Sequence, residues 1–200
     1  MSKLAGNRRL VAWLRLLRPP NLPTVPGDPL AGFLLAGGRP GRRAAAVMLA
    51  ALLVYAAGLI WNDVADVEID RRERPERPLP SGAVAVGSAR IVAALLAAAG
   101  LAAAGLAGAA ALAAACLLTG MVLVYDFAVV RGRAAGVLIM GGCRAVSVVL
   151  GIAAASSFRA VPAAAWAAAA GFGAYVAAVS LLAKDETRLT RLGWKRHLPS

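Results

Sequence analysis

Apolar residues fall along this chain in long blocks separated by short polar clusters. From Ile91 to Tyr125 there is no charged side chain, a run of 35 residues. A bilayer core is crossed by roughly 20 apolar residues in a helix, and soluble domains do not carry so long an uninterrupted apolar stretch. Blocked in this way, the sequence predicts about six spans. The second covers about Ala44 to Trp61, and the third and fourth share Ser88 to Val130, turning near Gly105 to Ala109. The fifth covers about Ala134 to Ser156 and the sixth Val161 to Ala183. The first is irregular: Pro19, Pro20, Pro23, Pro26 and Pro29 crowd its start, leaving regular helix only from about Pro29 to Leu35. Irregular backbone at membrane depth is tolerated where protein or a water-filled cavity surrounds it. Residues 1–18 read as a basic interfacial segment with Leu10, Trp13, Leu14 and Leu17 at helical spacing. Residues 19–184 then form the transmembrane domain and 185–200 a cytoplasmic tail.

Composition agrees with an all-α polytopic bundle. Sixty per cent of residues are hydrophobic and 16% charged. The apolar runs are rich in Ala and Leu, which favour helix. They lack the alternation that a membrane β-barrel requires. Gly100, Ala104 and Gly108 recur four apart, a spacing that lets helices approach closely in lipid. Cys116 and Cys143 both lie inside predicted spans, His197 stands alone, and the basic start runs into prolines where a cleavable signal would carry a short apolar core.

The net charge of +12 raises the question of nucleic acid. The cations, however, sit beside spans, where they set topology and meet lipid headgroups, so no nucleic-acid partner is expected. With the N-terminus inside, the cytoplasmic side holds 17 Lys and Arg residues. The outer side holds four, Arg39, Arg42, Arg43 and Arg159, and Arg144 falls within a span. That bias predicts both termini on the cytoplasmic side. Nine of the ten acids cluster on the same side: Asp63, Asp66, Glu68, Asp70, Glu73, Glu76, Asp126, Asp185 and Glu186, with Asp28 the exception. Carboxylates contribute little to orientation, so their convergence points to a site.

The densest acidic run is Asn62-Asp63-Val64-Ala65-Asp66-Val67-Glu68-Ile69-Asp70, directly after an apolar span. On a continuing helix Asp63, Asp66 and Asp70 share one face and Asn62 borders it. Like charges so placed repel by a few tenths of a kcal/mol per pair, and a neutralising partner is called for. Hard carboxylate oxygens at the mouth of a cavity suit Mg²⁺, which keeps several waters and bridges to a phosphate. Arg71, Arg72, Arg74 and Arg77 follow, and guanidinium groups bind phosphate oxygens in bidentate fashion. The same run also reads as a solvated loop whose acids pair with those arginines.

The combination Asn-Asp-x-x-Asp-x-x-x-Asp with Arg77-Pro78-Leu79-Pro80-Ser81-Gly82 resembles the first aspartate motif of the UbiA-type intramembrane prenyltransferases. The likeness is close over 62–82, with weaker echoes at Arg18-Pro19-Pro20-Asn21 and from Tyr125 to Gly151. The resemblance implies transfer of a prenyl group from an allylic isoprenoid diphosphate to a lipophilic or aromatic acceptor, with Mg²⁺. It implies that Asp63, Asp66 and Asp70 hold the metal with Asp185 of a second motif. It assigns Asn62, Arg77, Arg131, Arg133, Lys184 and Asp185 to the diphosphate. Asn21, Asp28, Tyr55, Tyr125 and Arg144 fall to the acceptor or prenyl pocket, where aromatic faces shield an allyl cation. Interfacial anchoring accounts equally for the aromatic residues, Trp61 above all. Arg144 either pairs with Asp28 or meets the acceptor's polar head, since ions at membrane depth need a partner.

Two features depart from the family pattern. The second motif here is Lys184-Asp185-Glu186-Thr187-Arg188, which lacks a second spaced acid, so that either Glu186 substitutes for it or one metal is held weakly. The family typically has nine helices against about six here, which implies a truncated homologue or a bundle completed by a partner chain or self-association. Two alternative functions follow: a homologue that binds prenyl lipid without turnover, and a transporter with an acidic vestibule. No inverted repeat supports the transporter.

Overall fold

A computed structural model describes residues 2–127, 133–155 and 161–193. Helix α1 spans Ser2–Leu17, and a 3-10 turn over Pro19–Thr24 follows. Then come α2 (Gly27–Leu35), α3 (Arg42–Ala65), α4 (Val67–Glu73), α5 (Val86–Ala107), α6 (Ala109–Phe127), α7 (Arg133–Ala155) and α8 (Ala163–Gly193). The expected all-helical membrane bundle is present. Among the described residues five helices, α3 and α5 to α8, are long and apolar enough to cross a bilayer.

The first expected span is short, as its prolines predict. Helix α2 has nine residues, about 14 Å of rise against a hydrocarbon core of about 30 Å. Five prolines within eleven residues explain it, because each removes a backbone donor and only helix starts tolerate the ring. The chain enters this segment through Arg18, whose φ of 45° is the only positive value at a non-glycine among the described residues. α2 fits inside the bundle by close packing on α7. A β-carbon at Gly151 would overlap the carbonyl oxygen of Pro29, and one at Gly32 would overlap that of Val148. Gly151→Ala is therefore expected to lower stability by about 1–3 kcal/mol. A thermal melt of the purified variant checks this, and an unchanged midpoint would contradict the packing described.

The small-residue spacing works as expected between α3 and α5. Gly100 lies against Ala50 and Val54, and Ala104 is fully buried. Val47, Ala50, Ala51, Ala111, Ala115 and Leu150 extend this core into α6 and α7. Gly108, at φ 135°, makes the turn between α5 and α6 within the expected window. α8 packs chiefly on α7 through the Gly141–Gly173 approach and turns Tyr175 and Leu182 outward. It runs on as helix to Gly193, through residues expected to form a tail.

The polar stretch 62–88, between the second and third expected spans, is largely helix and hydrogen-bonded turn. α3 continues past Asn62 to Ala65, and α4 follows at once. Beyond α4 the chain turns back on itself, with Ser81 N–H donating to Arg77 O and Val84 N–H to Pro78 O. Leu79 and Val84 are buried against Leu16, Ile60, Val64 and Ala89. This second apolar cluster clamps the end of α1, the end of α3, α4 and the start of α5 together. The acidic stripe sits on that clamp and not in a free loop, although two of its acids do pair with following arginines, Glu68 with Arg71 and Asp70 with Arg77.

Candidate functional site

The helix breaks for a single residue at Asp66 (φ −86°, ψ 0°), but its hydrogen-bond register carries through. Asp66 N–H donates to Asn62 O and Asp70 N–H to Asp66 O. Asp63, Asp66 and Asp70 therefore keep a common face. Asp63 and Asp70 are buried, and Asp66 is half-buried.

Arginines from two other segments meet this face. Arg18 Nη2 donates to Asp63 Oδ1 at 2.5 Å, and Arg77 Nη1 donates to Asp70 Oδ2 at 2.6 Å. Arg77 Nη1 also lies 3.8 Å from Asp63 Oδ1. Among the described residues Asp66 makes no ion pair. Its pKa is raised above the ordinary carboxylate value, chiefly by burial and then by the Asp70 carboxylate, against the pull of Arg77, Arg18 and Arg74. Burial alone would lower the Arg77 pKa, but Asp70, Asp63 and Asp66 outweigh it and raise the value.

Helix α6 adds an acid. Asp126 Oδ1 accepts a long 3.4 Å hydrogen bond from Asn62 Nδ2, while its buried Oδ2 has no hydrogen-bond partner among the described residues. Asp126 lies within electrostatic reach of both Asp63 and Asp66. A cleft of about 350 Å³ opens here, lined among others by Arg18, Asn21, Tyr55, Asn62, Tyr125, Asp126 and Arg144. A smaller cleft of about 280 Å³ is lined by Arg15, Arg18, Asp63, Glu76 and Arg77. Arg18 belongs to both.

Of the pocket residues expected from sequence, Asn21, Tyr55, Tyr125 and Arg144 line the larger cleft. Asp28 does not line it, but its Oδ2 lies 2.7 Å from Arg144 Nη1. Of the expected diphosphate residues, Asn62 lines the larger cleft and Arg77 the smaller. Arg131 falls outside the described residues, as do the side chains of Arg133, Lys184, Asp185 and Glu186. The sequence placed Arg18 on the cytoplasmic side and Asp126 among the nine acids whose convergence pointed to a site, without giving either a role in it. An acid at the cytoplasmic end of an otherwise uncharged span was the available signal for Asp126. The Arg-Pro-Pro-Asn echo was the signal for Arg18.

The donor set fits a divalent cation in part. Among the described residues no three carboxylates are grouped as a metal site, and Asp63 and Asp70 are engaged by arginine. Asp66 and the unpartnered Asp126 oxygen are hard donors near the cleft. Two protein carboxylates with water and phosphate completing the shell is a common Mg²⁺ arrangement.

The model of the UbiA prenyltransferase family matches residues 28–190. A digeranylgeranylglyceryl phosphate synthase from Methanoculleus marisnigri is 42% identical over 77 residues, covering 38% of this chain and 27% of that protein. One from Metallosphaera sedula is 56% identical over 39 residues, covering 20% and 14%. The matched segments thus span about a quarter or less of these relatives. A solved structure of a UbiA homolog from Aeropyrum pernix K1 superposes with a TM-score of 0.65 at 30% identity, covering 77% of this chain and 60% of that one. A structure described for digeranylgeranylglyceryl phosphate synthase in membranes gives a TM-score of 0.68 at 24% identity, covering 87% and 59%, and supports the fold. The chain belongs to the UbiA prenyltransferase family.

Proposed function

We propose that this protein transfers a prenyl group from an allylic isoprenoid diphosphate to a lipophilic acceptor, with Mg²⁺, at the cytoplasmic end of its helix bundle. The observation that carries the reading is the acidic face of Asp63, Asp66 and Asp70, joined by Asp126 and met by Arg18 and Arg77, beside a cleft that leads in among membrane helices. Relatives named as synthases of a digeranylgeranylglyceryl phosphate support an isoprenoid donor.

Asp66 and Asp126 are the carboxylates that would hold the metal first, with Asp63 and Asp70 added once their arginines turn to phosphate. When bound, Mg²⁺ supplies charge neutralisation on the departing diphosphate. Arg77 and Arg18 bind its oxygens by charge-assisted hydrogen bonds that strengthen as the allylic C–O bond ionises. Asn62 steadies Asp126. Tyr55 and Tyr125 present ring faces on which a developing allyl cation is stabilised, and the apolar lining restricts water that would quench it. Arg131, Arg133, Lys184 and Asp185 belong to the same proposed diphosphate site, and both termini face the cytoplasm.

Release of diphosphate tests the assignment. Purified protein incubated with Mg²⁺, geranylgeranyl diphosphate and a lipophilic acceptor should liberate diphosphate. Saturable Mg²⁺-dependent binding without release would favour the second reading, a homologue that holds prenyl lipid without turnover. That reading draws on the arginine pairing of Asp63 and Asp70. Ion-coupled flux with no binding would favour a transporter.

Because Asp66 must shed its proton to accept a cation, its raised pKa has a consequence. Mg²⁺-dependent binding should weaken on acidification at a higher pH than an ordinary carboxylate of pKa 3.8 would dictate. The protonated form is the one that excludes metal, so the loss runs towards low pH. Binding measured by stepwise acidification checks this, and a flat profile down to the ordinary carboxylate range would contradict it.

A further inference from the structure

Arg144 occupies the midpoint of α7, eleven residues from Arg133 and eleven from Ala155. It is thus about 16 Å along the helix from its start. Its guanidinium has neighbours on two other helices. Nη1 lies 2.7 Å from Asp28 Oδ2 on α2, and Cζ sits 5.6 Å from the Phe172 ring centroid on α8. The Asp28 side chain is only 7% exposed, whereas the Arg144 side chain is 26% exposed and lines the larger cleft with Tyr55, Tyr125 and Asn21. A guanidinium carries five N–H donors in a rigid fork. The contact with Asp28 is an ion pair and not an aligned hydrogen bond, since Asp28 Oδ2 has no hydrogen-bond partner among the described residues, so the guanidinium keeps N–H donors for the cleft.

A purely structural salt bridge explains this poorly. α2 is already seated on α7 by the close approaches at Gly32 and Gly151. A buried ion pair seldom stabilises more than apolar residues of the same size. Charges within spans cluster where a polar substrate passes.

Resting on the prenyl-transfer reading, we infer that Arg144 anchors the acceptor and selects one whose head at this point is an uncharged oxygen, a hydroxyl or carbonyl. Asp28 cancels the arginine's charge, so the pair offers hydrogen-bond donors without a net positive field. Taking a phosphate to mid-helix depth would desolvate it against a pair that cannot neutralise it. The arginines assigned to phosphate, Arg18 and Arg77, also pair with carboxylates, but they stand at the end of α3 beside Asp66 and Asp126, where a bound cation would supply the neutralisation that the Asp28–Arg144 pair lacks.

The test uses a matched pair of lipids, 1-hexadecylglycerol and its phosphate ester, with the detergent-solubilised full chain and native mass spectrometry as the binding readout. The wild type should hold the alcohol at least about tenfold more tightly than the phosphate ester, as expected for hydrogen bonds to a charged donor. That preference should collapse in Asp28→Asn/Arg144→Gln. Arg144→Lys, which keeps the ion pair but loses the fork, should lose most of it as well and serves if the double variant does not fold. Equal or tighter binding of the phosphate ester by wild type, or a preference surviving in the folded variants, would overturn the inference. Mg²⁺-dependent binding of geranylgeranyl diphosphate is measured in the same samples. Its absence from wild type would count against the prenyl-transfer reading, while the lipid pair still reports on Arg144.

Discussion

Asp66→Ala is expected to weaken Mg²⁺-dependent binding of geranylgeranyl diphosphate by about a hundredfold or more, the upper end of what loss of even an outer metal partner costs. Folding should be spared. Asp66 is half-buried, sits at a one-residue break in the helix, and makes no ion pair among the described residues. Its carboxylate is crowded by Asp70, so its removal relieves repulsion. Thermal stability should hold or rise slightly while binding disappears. A purely structural role predicts the opposite pattern, a lowered melting point with binding retained in proportion to folded protein. Isothermal titration and a thermal melt on one preparation separate the two.

The second large effect is on stability. Arg144→Leu removes the only described ion-pair partner of Asp28, whose carboxylate stays buried between α2 and α7. Orphaning a buried charge costs about 3–5 kcal/mol. Asp28→Leu/Arg144→Leu should recover most of that loss, because two apolar side chains replace the pair without leaving an ion behind. Urea or thermal unfolding of the single and double variants in detergent makes the comparison. Additive losses in the double variant would contradict the pairing.

The sequence made the bundle legible because lipid imposes a rule that few residues escape. Charge-free blocks mark spans, and the turn at Gly108 and the limits of α7 fell within about a residue of expectation. Two features were not readable. α2 depends on Gly32 and Gly151 meeting backbone from another helix, a contact between positions more than a hundred residues apart that no local pattern announces. The ordered stretch 62–85 depends on Leu79 and Val84 finding an apolar cluster built from four elements. Proline and arginine content there mimics a solvated loop.

The site divides along the same line. Asp63, Asp66 and Asp70 could be placed on one face from spacing alone, because a helix fixes that geometry locally. Their arginine partners could not, because Arg18 arrives from 45 positions upstream. Asp126 was visible only as one acid among nine, until α6 brought it beside Asn62. The Asp28–Arg144 pair was legible as one of two alternatives, since an ion at membrane depth needs a partner and only one acid was available at that depth.

Titrating geranylgeranyl diphosphate into the purified wild-type chain, with Mg²⁺ present and then chelated, puts the metal-bridged carboxylate face to the sharpest trial. Saturable binding that appears only with the cation is the predicted result. Binding of equal strength in its absence, or none in its presence, would contradict it.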